Sequence, residues 1–286
     1  MSVAIATCRV VDIDPDAPLL VAALAAQGVH GELAAWDDER VDWSSYDLVV
    51  IRSTWDYTAR REQFLAWAHA LPRLENPYPV LEYSSDKHYL ADLTARGHRV
   101  VPSTFVDVGR EPTFPDGDFV VKPCVGAGSM DAERYDADEH DAARQHVSVL
   151  HQKGRDALVQ PYISSVDEAG ERGLVFVDGQ FGHAMAKNAM LNTPAPDRHH
   201  LFRHEQMSKV DVDPEALRLA TDVLADLGFD HLLYARVDLV ADDEGWLLME
   251  LELVEPSLYL SYDEGTARHL AAAIKRRVDH RSRPSR

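Results

Sequence analysis

Residues 234–256 read YARVDLVADDEGWLLMELELVEP, two apolar runs of strand length around an Asp242-Asp243-Glu244-Gly245 turn. Turn residues between runs of this length mark a β-hairpin. Acids stand inside both runs, Asp238 in the first and Glu250 and Glu252 in the second. Side chains along a strand alternate faces, so Glu250 and Glu252 point the same way. If the hairpin closes over an odd number of loop residues, Asp238 falls opposite Glu250 and Arg236 opposite Glu252. Three carboxylates on one sheet face repel one another unless something positive sits among them, and Mg²⁺ takes oxygen ligands of this kind. The competing reading is a solvated polar face on an antiparallel sheet.

The chain has 286 residues, 45% hydrophobic and 27% charged, the make-up of an ordinary globular protein of one to three lobes. A formal charge of −19 argues against nucleic-acid backbone binding, which needs clustered Lys and Arg. In so acidic a body, a polyanionic ligand must be met by a few well-placed cations. Cys8 and Cys124 lie far apart without metal-ligand spacing and read as reduced thiols of a cytoplasmic protein. The N-terminal MSVAIATCRV lacks a signal-peptide pattern, and no run reaches membrane-spanning length. The basic stretch from Lys275 to Arg286 reads as a frayed tail.

The first eighty residues read as a small α/β lobe. Ser2 to Thr7 and Tyr46 to Ser53 are apolar runs of strand length, and PLLVAALAAQG is a helix stopped by Gly28. Arg60 to Leu71 puts Phe64, Leu65, Trp67, Ala68 and Leu71 on one helical face, a core stripe. Ser84-Ser85-Asp86 reads as a helix start ahead of KHYLADLTARG, with a strand over Val100 to Val106. Further on come a strand in DGDFVVKPC, an amphipathic helix over Asp138 to Lys153, and a strand in ALVQPYI. LVFVDGQFGHAMAK is a second hairpin turning at Asp178-Gly179. Met190 to Gln206 is a long polar loop, Pro214 to Gly228 a helix, and Glu264 to Val278 the last helix. The sum is mixed α/β.

Several positions carry chemistry. Lys122 ends an apolar strand with Gly126, Gly128 and Ser129 just beyond. Glycines let backbone N–H groups turn inward around phosphate oxygens, and a strand-fixed ammonium supplies a point charge beside them. A plain glycine turn is the alternative. Lys87, near a helix start, is a weaker candidate of the same kind. Gln160, Pro161, Tyr162 and Ile163 end a strand that would wall a cleft, where the Pro161 C=O and Ile163 N–H suit an adenine edge. Arg52, Trp55, Asp56 and Tyr57 follow the carboxyl end of an apolar strand, where ligands of open α/β sheets bind. There they would grip an amino-acid-like substrate, or Arg52 and Asp56 simply stabilise a turn. His199, His200 and His204 lack the partners of a metal site. There is no nucleophile elbow and no P-loop.

In order, these pieces resemble the ATP-grasp superfamily over roughly residues 75 to 260. By that resemblance Lys87 and Lys122 are the nucleotide-binding lysines, residues 126–129 the glycine loop, and Gln160 to Ile163 the adenine linker. Asp167 would bind ribose, and Asp238, Glu250 and Glu252 would hold two Mg²⁺, although the last ligand is more often Asn. GERGLVFVDGQFGHAMAKN is similar to the paired strands of the glutathione synthetase and ribosomal-protein glutamate ligase branch, in which the basic residue at Lys187 contacts the transferred phosphate. IRSTWDY, Asn76-Pro77 and SDKHYL resemble a narrower group that includes the cyclo-ligase of D-cycloserine biosynthesis, which closes O-ureido-D-serine at the cost of ATP. The branch's Gly-Gly pair in the long loop is missing from Phe202-Arg203-His204-Glu205.

The resemblance implies an ATP-grasp fold with an α/β substrate lobe (1–84), a central lid lobe (85–163), an antiparallel catalytic lobe (164–280) and a tail (281–286). It implies an ADP-forming ligase making a C–N bond through an acyl phosphate, with Lys187 and Arg236 stabilising the moving phosphoryl group. Arg203 and Ser257 join the substrate residues on the same ground. A kinase built on the same cleft, or a nucleotide-binding protein with little catalysis, are the alternatives. The implied partner is a small amino-acid-like molecule, with neither nucleic acid nor membrane; the oligomeric state stays open, a homodimer among the options.

Overall fold

The computed structural model describes residues 1–10, 14–187 and 207–281, with only the backbone of Arg281. The long loop with its three histidines, Arg203 and the last five residues lie outside these. Among the described residues no helix is long and apolar enough to cross a membrane.

The chain builds three sheets in succession. The first is parallel, ordered β2-β1-β3-β4 from β1 (Ser2–Thr7), β2 (His30–Ala35), β3 (Leu48–Ser53) and β4 (Leu74–Glu75). Its helices are α1 (Ala17–Ala26) and α2 (Arg61–His69), followed by α3 (Tyr78–Ser84) and α4 (Tyr89–Ala95). β3 is buried along its whole length, which is why Leu48 to Ile51 reads as an unbroken apolar run. β2 alternates exposed and covered positions at the sheet edge, so its HGELAA sequence gave no apolar signal.

The second sheet is antiparallel, ordered β5-β8-β6-β7, from β5 (Thr104–Val106), β6 (Phe119–Pro123), β7 (Glu133–Tyr135) and β8 (Ala157–Pro161). The amphipathic helix α5 (His140–Gln152) covers one face with Ala143, Val147 and Leu150. After a short helix α6 (Ser165–Ala169) comes the third sheet, ordered β11-β10-β9-β12-β13. Its strands are β9 (Glu171–Val177), β10 (Gln180–Lys187), β11 (Met207–Val210), β12 (Tyr234–Asp242) and β13 (Gly245–Glu252).

β9 is buried on both faces. Leu174 and Phe176 join the core beneath α4 and α7 (Pro214–Asp226), while Val175 and Val177 pack with α1 and α8 (Glu264–Arg281). Asp213 caps α7 by accepting from Glu215 N at 2.7 Å, with Pro214 in the first turn. Asn76 ties the parallel sheet to the third one: it donates to the carbonyls of Tyr234 (3.0 Å) and Leu253 (2.8 Å) and accepts from Leu233 N (2.8 Å).

Ser84 departs from the helix-start expectation. It lies in the last turn of α3, and its hydroxyl donates to Leu251 O and accepts from Leu253 N, both at 3.1 Å. Tyr89 OH accepts from Leu251 N at 2.9 Å, so side chains of α3 and α4 cover part of the open edge of β13. Lys87 lies in the turn between these helices.

Candidate active site

One cavity of about 500 Å³ opens between the second and third sheets and reaches the parallel lobe. Its floor is the acidic hairpin. Asp238 pairs with Glu250 and Arg236 with Glu252, the register the odd-loop condition anticipated. The loop itself holds only Asp243 and Glu244, an even number. The parity comes instead from a β-bulge: Leu239 faces Leu248 while Asp238 faces Glu250, which leaves Met249 as the extra residue. Met249 and Glu250 therefore both line the cavity, while Leu248 and Leu251 join the core.

Cations from three directions meet these acids. Lys187, at the end of β10, donates to Asp238 Oδ2 at 2.6 Å and lies 3.3 Å from Glu171. The Arg236 guanidinium donates to both Asp238 oxygens at 2.9 Å, to Glu252, and to Ser257 O at 3.0 Å. Gly173 on β9 sits directly opposite Asp238 and leaves room for this pair. Lys87 Nζ donates to Gly126 O at 2.8 Å and lies 2.9 Å from Glu250. Lys122 is more distant, 3.8 Å from Glu250.

The protonation equilibria follow from these distances. Burial raises the Asp238 carboxyl, but Arg236 and Lys187 outweigh it and bring it down to about 2. Burial likewise opposes the Lys87 ammonium, yet Glu250 lifts it above its ordinary value. Lys122, whose pair with Glu250 is longer, is left lowered by burial. Glu252 goes the other way, up to about 7, because burial and the charges of Asp238 and Glu250 exceed what a shared Arg236 offsets. Glu255, buried beside Glu252, rises to about 8. This corner holds more carboxyl groups than its own cations keep ionised.

Above the floor, Gly128 and Ser129 take left-handed φ values of 59° and 55° in the loop after β6, a conformation glycine adopts without strain. Val120, Ile163, Val166 and Met249 form an apolar slot, with Gln160 donating to Ser103 Oγ at 2.9 Å. Pro161 and Tyr162 line the same slot. Asp167 lies outside the lining; it accepts from Tyr162 OH at 2.6 Å and lies 3.3 Å from Arg134.

At the opposite end stand Trp55, Tyr57, Ser257 and Tyr259. Asp56 and Arg52, grouped with them in the sequence, do not line the cavity. Asp56 accepts from Trp36 Nε1 at 2.8 Å and pairs with Arg60 at 2.6 Å, a contact within the lobe. Arg52 is buried over the Tyr234 ring, 5.4 Å from its centre.

A family description, D-cycloserine synthetase DcsG, N-terminal domain, matches residues 3–76. The cycloserine biosynthesis protein DcsG of Streptomyces lavendulae is 37% identical over 283 residues, 93% of this chain and 95% of its own. This chain belongs to the D-cycloserine synthetase DcsG family. The crystal structure of D-cycloserine synthetase DcsG matches with a TM-score of 0.87 at 35% identity, over 97% of this chain and 100% of that one. D-alanine–D-alanine ligase from Bacillus anthracis, complexed with ATP, matches at 0.66 with 11% identity, over 98% of each chain. A RimK domain ATP-grasp protein from Sphaerobacter thermophilus matches at 0.67 with 16% identity, over 97% of this chain and 99% of that one. At such identities the likeness is one of fold, and the mixed α/β architecture of this DcsG-family chain is the ATP-grasp fold that its sequence resembles.

Sequence reasoning missed Asp14, Asp16, Glu171 and Glu255, all of which line the cavity. Glu255 carries the same signal as the three acids of the hairpin, a charge in an apolar stretch, and stands three residues beyond Glu252. Asp14 and Asp16 had no such signal: they precede the helix PLLVAALAAQG, outside any apolar run.

Proposed function

We propose that this chain is an ATP- and Mg²⁺-dependent ligase. It activates a carboxylate, or a carboxylate-like group, as an acyl phosphate, and a nitrogen nucleophile then displaces the phosphate. The observation that carries this reading is the convergence of Lys87, Lys122, Lys187 and Arg236 on Asp238, Glu250 and Glu252 inside one cavity. In-line phosphoryl transfer depends on charge neutralisation and alignment more than on acid–base groups.

Lys122 and Lys87, beside the glycine loop, hold phosphate oxygens, with backbone N–H groups of residues 126–129 around them. The apolar slot takes the base, with Gln160 to Ile163 along its edge and Asp167 at the rim for the ribose. Lys187 and Arg236 neutralise the group in flight. Glu250 and Glu252 keep 24% and 29% of their side chains open, and a hard divalent cation would keep the crowded Glu252 carboxyl ionised. Bound there, Mg²⁺ supplies Lewis-acid stabilisation to phosphate oxygens. Asp238 completes a two-ion set only if Lys187 or Arg236 yields one of its oxygens, since both are engaged.

The aromatic end, with Trp55, Tyr57 and Ser257, accepts an amino-acid-like substrate; Arg203 belongs to the same proposal by family resemblance. The relatives are named for D-cycloserine, so O-ureido-D-serine is the first substrate to test. Purified protein with ATP, Mg²⁺ and a panel of O-substituted amino acids should release ADP and phosphate for at least one of them. Mass spectrometry then separates the readings: a closed ring or new amide supports the ligase, a stable phosphorylated product makes it a kinase, and nucleotide binding without turnover makes it a binding protein.

A further inference from the structure

Beyond Glu252 the chain leaves β13 and, three residues on, presents Glu255 to the cavity, 8% exposed. Asp14 and Asp16, which also line the cavity, accept from the backbone N–H groups of Asp16 and Leu260, and the acids around the hairpin have cation partners. Asp238, Glu250, Glu252 and Glu171 each pair with Lys187, Arg236 or Lys87. Among the described residues no cation lies within ion-pair distance of Glu255, and the charges of Glu252 and Glu250 oppose its own. Lys87, whose field reaches Glu255, has its ammonium fixed on Glu250 and Gly126 O. A carboxylate out of water without a partner is destabilising, and such groups persist where a ligand completes them.

The neighbours define what that ligand is. Trp55 donates its indole N–H to the Glu255 carbonyl at 3.1 Å, and Tyr57 lies in the same wall, its phenol kept neutral by burial and the field of Glu255. Aromatic faces beside a lone carboxylate favour a compact organic cation and offer nothing to a second anion.

We propose that Glu255 receives the ammonium group of the substrate, so that the cavity selects amino acids with a free, protonated amine. This deepens the amino-acid ligase reading above and rests on it. It also moves recognition of the amino end from Asp56, which is engaged by Trp36 and Arg60, to a residue beyond the acidic hairpin.

The test is calorimetric titration of wild type and Glu255→Gln with O-substituted serines and their N-acetyl derivatives, in the presence of Mg²⁺ and a non-hydrolysable ATP analogue. Wild type should prefer the free amines by about thirtyfold or more, the effect of leaving one member of a buried charge pair alone. In Glu255→Gln the preference should collapse to within a few-fold, with nucleotide affinity unchanged. A preference retained in Glu255→Gln, or absent from wild type, overturns the assignment. Free amines that bind through Glu255 without any ADP release would sink the ligase reading alone. Equal ADP release from free and N-acetylated compounds would keep the ligase and remove Glu255 from recognition.

Discussion

Gly173 on β9 faces Asp238 on β12, and a methyl group added at this glycine would come 3.1 Å from Asp238 Oδ1 and 3.4 Å from Arg236 Cδ. Neither neighbour gives way freely, because Asp238 is fixed by Lys187 as well as by Arg236. Gly173→Ala should therefore fold but displace the ion-paired pair, lowering turnover about tenfold to a hundredfold. ADP release measured beside a thermal melt checks this; wild-type turnover would mean that the pair's exact position is immaterial.

Lys122 is held by burial with only a long contact to Glu250, so its ammonium is the most available for an incoming anion. Lys122→Ala should weaken ATP binding by about thirtyfold or more. A nucleotide titration that matches wild type would remove Lys122 from the phosphate site.

Asn76 makes three buried hydrogen bonds between the parallel lobe and the third sheet. Asn76→Ala leaves three backbone groups without that partner and should destabilise the protein by about 3 kcal/mol. Urea denaturation followed by circular dichroism reads this directly, and a change within 0.5 kcal/mol, roughly that of an ordinary surface substitution, would show that the junction relaxes.

Glu255 offers a pH-dependent prediction. Its folded pKa is raised to about 8, by burial and then by Glu252, from the 4.5 of an ordinary glutamate. Between those values the folded state holds a proton that the unfolded state has lost, so this group's contribution to stability falls as pH rises. Glu255→Gln removes the titration while keeping the shape. Without ligands, the variant should gain stability over wild type progressively from about pH 4.5 to about pH 8. Melts across that range that stay parallel would contradict the shift.

Much of the fold was legible because its strands are either buried on both faces or broken by glycine turns. β3, β9 and the Asp178-Gly179 hairpin carried such signals, and the hairpin turns through two left-handed residues. What stayed hidden was built by distant contacts. β2 and β4 are short or half-exposed, and α3 is marked only by a proline pair that reads as loop. In the site, residues on strand ends were readable because a charge in an apolar run is conspicuous. Asp56 misled because its partner, Trp36, lies twenty positions upstream.

The bulge at Met249 lies between the hairpin tip and the acids, and so uncouples the two. Adjacent positions that a regular strand would send to opposite sides both face the cavity, one with a thioether and one with a carboxylate. Insertions at Asp243-Glu244 leave that phase untouched, whereas dropping or adding a single residue between Gly245 and Leu248 rotates apolar side chains out of the interior. The tip, tied to Arg99 through Asp242 and the Glu244 carbonyl, can therefore change with less effect on the acids than the few residues behind it.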